Sequence, residues 1–158
     1  MKKMTLNSSN YYGAEANRAY FSVSQYKDFQ KCPAMAMAKL RGEYEPEFGR
    51  ALLLGSYVDE MLTGTDESIK KFSVEHVADI FKKNGERYAD IQQADETIVR
   101  ILKQPLMMHY LSGEHQTIMT GEIEGVPFKI KMDSFNPEEY IADLKYMSSL
   151  RSPNLFQP

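Results

Sequence analysis

A single cysteine, Cys32, in a chain of 158 residues cannot close an internal disulfide, and the three histidines beside it make no Cys/His set at zinc spacing. Both shortages suit a reducing compartment and exclude a structural zinc. No apolar run approaches the roughly 18 residues of a membrane span, and the opening MKKMTLNSSNYYGAEANRAYF lacks the unbroken apolar stretch of a secretory signal. The expected location is therefore the cytoplasm. Positive charge is scarce too: 19 Lys and Arg stand against 22 Asp and Glu, a formal charge of −3. That balance excludes holding nucleic acid by bulk electrostatics, which leans on many phosphate contacts, so any DNA contact has to be local or metal-assisted. Internal repeats, low-complexity tracts and interdomain linkers are missing as well. At this length and 42% hydrophobic composition the chain reads as one globular domain.

Local punctuation organises what is present. Residues 1–21 are polar and without period, which predicts a flexible N-terminal arm ahead of a domain over 22–158. Order begins at Ser22, where SVSQ has capping-box form. A helix follows, split by Pro33 into Ser24–Lys31 and Pro33–Arg41, with Gly42 just past its end. A second helix is predicted from Glu47 to Thr63, stopping at Gly64, with Leu52, Leu54, Val58, Met61 and Leu62 as its apolar stripe. Asp59 lies within or at the wet border of that stripe, one turn after Gly55. Residues 65–85 are mixed, with a short strand expected near Phe72–Glu75 and a short helix after it. The helical period returns over Glu86–Gln104, and Pro105 breaks or restarts it through Leu111.

From Gln116 the period falls to two, giving strands TIMTGEIEG, VPFKIKMDSF and EEYIADLKYM in a mainly antiparallel meander. The expected class is therefore α+β, helices first and three strands after. Alternation sets Phe128, Ile130 and Met132 on one face of the second strand and Lys129, Lys131 and Asp133 on the other. In the third strand Tyr140, Ala142, Leu144 and Tyr146 share a face opposite Ile141, Asp143, Lys145 and Met147. A hairpin turning between Ser134 and Glu139 brings Asp133 beside Asp143, with Lys145 on the same side.

Two carboxylates repel unless something positive separates them, and their oxygens are the hard ligands that Mg²⁺ or Mn²⁺ prefers. An ion there could polarise a phosphodiester and lower the pKa of a bound water, with the lysine steadying the growing negative charge. Surface salt bridges from Lys145 to Asp133 or Asp143, contributing about 0 to 1 kcal/mol, satisfy the same spacing. Asp143 is the one acidic residue in the chain followed two positions later by lysine.

In order along the chain, SVSQYKDFQKCPAMAMAKLRG, LLLGSYVDEML, GVPFKIKMDSF and IADLKYM resemble four pieces of the PD-(D/E)XK nuclease superfamily. The likeness is greatest to its RecB-like and RecE-like phage exonucleases, the exodeoxyribonuclease VIII type. The pieces are the S-x-S…CP segment, the G-x-x-x-H helix, the strand with the first aspartate and the D-x-K strand. The resemblance implies a mixed α/β core and metal-dependent DNA cleavage, resecting duplex ends for recombination. It also implies Asp133, Asp143 and the Leu144 carbonyl as metal ligands and Lys145 as the catalytic lysine. Asp59 stands where the family has histidine, and a carboxylate can still ligate Mg²⁺ or Mn²⁺. DNA is the implied partner, with a single-strand annealing protein and further copies of the chain as candidates. Cys32 lacks the three later cysteines that hold an iron–sulfur cluster in some relatives. The family's Q-x-x-x-Y helix and last strand have no counterpart in SSLRSPNLFQP, so an incomplete core is expected. A nuclease-like scaffold without turnover is the alternative reading.

Overall fold

A computed structural model describes residues 4–45, 47 and 49–147; the closing SSLRSPNLFQP falls outside the described residues. Among those described, eight helices precede a three-stranded sheet of β1 (Glu114–Ile123), β2 (Val126–Asn136) and β3 (Tyr140–Ala142), in the order β1-β2-β3, an α+β arrangement. The chain packs into two compact units. One joins the described part of residues 1–47 with Glu114–Ile141, the other the described part of 48–113 with that of 142–158.

In the first unit, α1 (Ala14–Ala19) lies in the segment that the sequence reads as an arm, and that reading is corrected. Tyr11, Ala16 and Tyr20 there are buried. The segment has no apolar period because it is ordered by partners distant in sequence. Phe21 pairs its backbone with β2, its N–H donating to the Pro127 carbonyl at 2.8 Å and its carbonyl accepting from the Lys129 N–H at 2.8 Å. The Lys129 ammonium donates to the Tyr11 carbonyl and to Asn17 Oδ1, each at 2.6 Å, and lies 4.6 Å from the centre of the Tyr11 ring. Burial pushes its pKa down from the ordinary lysine value. Lys131 meets the neighbouring Tyr12 ring at 5.3 Å. Lys129 and Lys131 thus share a face, as alternation predicts, but the N-terminal segment covers that face.

Helices α2 (Val23–Lys31) and α3 (Pro33–Arg41) form where the punctuation places them. Ser22 caps α2 in a complete capping box: its N–H donates to Gln25 Oε1 at 2.8 Å and its Oγ accepts from the Gln25 N–H at 3.4 Å. Cys32 ends one helix and starts the next because Pro33, at the first turn of α3, has no N–H to continue the ladder. Gly42 closes α3 with the left-handed φ of 76° that glycine adopts without strain. Lys39 and Asp28 tie the two helices together at 2.8 Å. Strands β1 (Glu114–Ile123) and β2 (Val126–Asn136) pair antiparallel around the Glu124-Gly125 turn, from Glu114↔Phe135 to Ile123↔Val126. The short β3 (Tyr140–Ala142) follows.

The second unit is built on α4 (Arg50–Thr63) and α7 (Ala89–Leu102), with α5 (Asp66–Glu75), α6 (Val77–Ile80) and α8 (Pro105–Tyr110) beside them in sequence. Its core gathers Leu54, Tyr57, Val58, Ile80, Ile91, Ala94 and Ile98. The stripe of α4 is turned relative to the sequence reading: Leu53 and Tyr57 are buried and Leu52 is 56% exposed. Consecutive leucines at 52–54 leave the phase open, and the Tyr57 ring decides it by packing inward. Phe72–Glu75 is helix rather than strand, because Thr65 and Ser68 cap α5 reciprocally and serine replaces the glutamate or glutamine of the usual box. Arg50 grips Asp90 through two bonds of 2.6 Å, joining the first turns of α4 and α7.

Candidate active site

Asp59 follows Val58 on α4 and is half-buried, at the edge of the core face. Its Oδ1 accepts from Thr63 Oγ1 at 3.3 Å, and the same hydroxyl donates to the Asp59 carbonyl at 2.9 Å. A β-carbon added at Gly55, one turn earlier, would meet no atom within 4 Å, so the backbone there is open to close approach.

Asp133 is half-buried in β2, between the buried Met132 and Ser134. Across the ladder, between the pairs His115↔Ser134 and Thr117↔Met132, lies Gln116 with a left-handed φ of 54°. A non-glycine residue in that region stores strain of about 1 kcal/mol or more, and here it sits opposite a candidate ligand.

The third strand ends at Ala142, where the sequence predicts it to run to Met147. Its alternation nevertheless persists. Leu144 and Tyr146 pack partly buried against the core of the second unit, while Asp143 and Lys145 turn away, their side chains 58% and 70% exposed. Lys145 Nζ pairs with Asp143 at 2.6 Å from Oδ2 and 2.7 Å from Oδ1. Of the two salt bridges that the spacing allows, the one with Asp143 is therefore made. Two inward apolar side chains fix the direction of the two outward charged ones, which is what a D-x-K segment needs to present its charges.

Asp59, Asp143, Leu144 and Lys145 belong to the second unit and Asp133 to the first. Among the described residues no group of three His, Cys, Asp or Glu side chains is arranged to hold a metal ion. The donor types are nonetheless those of a hard cation: three carboxylates and a backbone carbonyl, all oxygen, fit Mg²⁺ or Mn²⁺ and not a thiophilic metal.

Sequence patterns gave no sign of a polar triad in the second unit. Tyr57 donates to Asp95 Oδ1 at 2.6 Å, and Arg87 donates to the Tyr57 oxygen at 2.9 Å and to Asp95 Oδ2 at 2.5 Å. These residues are 30 and 38 positions apart from Tyr57, so no local motif marks them. Burial first, and then the bond to Asp95, push the Tyr57 pKa up to about 12. The unfolded chain therefore ionises first, and the stability that Tyr57 contributes is complete below about pH 10 and lost as pH rises through about 12. Urea unfolding between those pH values is expected to show a steeper loss in the parent than in Tyr57→Phe. Equal slopes would contradict this assignment.

The sequence pattern of a family described as a PDDEXK-like domain of unknown function, DUF3799, matches residues 22–156. A crystal structure of a candidate exonuclease from Eubacterium rectale is similar over 95% of the chain, with a TM-score of 0.85 and 44% sequence identity. The match spans 57% of that longer protein. Comparison with curated proteins finds no match. Among the described residues no helix is long and apolar enough to cross a membrane.

Proposed function

The chain belongs to the DUF3799 family of PDDEXK-like domains, and from that membership we propose that it is a metal-dependent deoxyribonuclease domain that hydrolyses phosphodiester bonds, resecting duplex DNA ends in phage-type recombination. The observation that carries the reading is the outward pair Asp143 and Lys145 on a segment anchored by Leu144 and Tyr146. It sits in a family-matched chain that resembles a candidate exonuclease at 44% identity.

In this reading Asp59, Asp133 and Asp143, with the Leu144 carbonyl, would hold Mg²⁺ or Mn²⁺ when the ion is bound. When bound, such an ion supplies Lewis-acid polarisation of the phosphodiester and a lowered pKa for the attacking water. Lys145 brings a compact ammonium on an exposed stem, and its Nζ donates hydrogen bonds to the phosphate oxygen on which charge grows. Asp143 holds that ammonium in place beforehand at 2.6 Å. Leu144 and Tyr146 keep the segment from rotating. With a net charge of −3, affinity for the DNA partner comes from this local contact. A single-strand annealing protein is the natural recipient of the resected strand.

The test is degradation of linear duplex against a covalently closed circle of the same sequence, with Mn²⁺ and then with excess EDTA. Linear DNA is expected to disappear, the circle to persist and EDTA to stop the reaction. Equal cleavage of the circle would overturn the end preference, and EDTA-resistant cleavage would overturn the metal dependence.

A further inference from the structure

An open cavity of about 820 Å³ lies within the first unit, where α1 and α3 end and β2 begins. That is within the roughly 300–1,000 Å³ of ligand-sized pockets. Its floor is apolar, made by Phe21, Phe29, Met37, Leu40 and Pro127. The polar side chains along its wall are already engaged. Asn17 Oδ1 accepts from Lys129 and its Nδ2 donates to the Tyr12 carbonyl at 3.0 Å, while the Tyr20 hydroxyl donates to the Met4 carbonyl at 2.9 Å. Little is left on the wall to read the hydrogen-bonding edge of a base.

The rim has the opposite character. Arg18 and Arg41 are both exposed there, and the Arg18 Nε bond to the Leu40 carbonyl, at 3.4 Å, holds its guanidinium against the end of α3. Neither arginine forms an ion pair with a carboxylate among the described residues. In a chain of net negative charge, two unneutralised guanidinium groups flanking an apolar trough complement a ligand that carries carboxylates beside an apolar body.

We propose that this groove docks an acidic peptide segment of a partner protein, seating an apolar side chain on Phe21, Phe29 and Met37 and placing carboxylates on Arg18 and Arg41. Pro127 and Asp133 stand six positions apart on β2, roughly 20 Å at about 3.3 Å per residue. The groove is therefore separate from Asp133, the candidate ligand of the same unit, and its docking role stands whether or not the chain is a nuclease.

The probe is a fluorescein-labelled peptide with a run of aspartates followed by Leu-Phe, titrated with the full chain and followed by anisotropy. Saturable binding is expected. It should weaken about tenfold or more in Arg41→Glu, in Met37→Glu and when Leu-Phe in the peptide becomes Ser-Ser, with the rate of DNA hydrolysis unchanged. Absence of saturable binding, or binding indifferent to all three changes, would overturn the proposal. So would an oligothymidylate that displaces the peptide in an Arg41-dependent way, which would make the groove a nucleic-acid site.

Discussion

Asp143→Ala and Lys145→Ala are each expected to slow hydrolysis of linear duplex DNA by about a hundredfold to a thousandfold or more. Such a loss would mean little if the substitutions also unfolded the chain. The geometry argues that they do not. Both side chains are more than half exposed and bond chiefly to each other, and an exposed pair of this kind contributes about 0 to 1 kcal/mol. For a chain of this size that moves the melting temperature by about 4 °C at most. Leu144 and Tyr146, which fix the segment, are untouched. Activity lost with the melting curve preserved therefore reports on chemistry. Activity preserved in either variant would remove the assignment of that residue.

Ile91→Ala is expected to destabilise the second unit by about 2–5 kcal/mol. Ile91 is fully buried at the start of α7. It belongs to the cluster of Leu54, Tyr57, Val58 and Ile80, against which Leu144 and Tyr146 pack. Cutting the side chain back to its β-carbon leaves a cavity among β-branched and aromatic neighbours that fill space poorly when displaced. A fall in melting temperature of about 10 °C follows, measurable by circular dichroism. An exposed position at the far end of the same helix gives the control: Leu102→Ala, at a residue 51% exposed, is expected to shift it far less. Similar shifts in the two variants would contradict the placement of the core.

Where a structural signal is local, the sequence carries it. Ser22 with Gln25, Pro33, Gly42, Gly64 and Pro105 each act over three or four residues, and each marks a helix end in the structure. Alternation likewise orients Leu144, Tyr146, Asp143 and Lys145 even beyond the end of the hydrogen-bonded strand. Features set by distant partners escape such reading. Helix α1 is covered by Lys129 and β2 from more than 100 positions away. The phase of α4 depends on which neighbours receive Tyr57, and the triad of Tyr57, Arg87 and Asp95 assembles only when α4 and α7 pack. Asp59 is half-buried beside Val58, a place that the sequence leaves open as either within the stripe of α4 or at its border.

Equilibrium binding of Mn²⁺, followed by loss of the free-ion electron paramagnetic resonance signal, tests the metal site most directly. The unaltered chain is expected to take up Mn²⁺ and to melt at a higher temperature with it, with uptake strongly reduced in Asp133→Asn and Asp143→Asn and weakened in Asp59→Asn. A chain that leaves Mn²⁺ free in solution, or binds it equally well after all three substitutions, would contradict the assignment of these carboxylates as a metal centre.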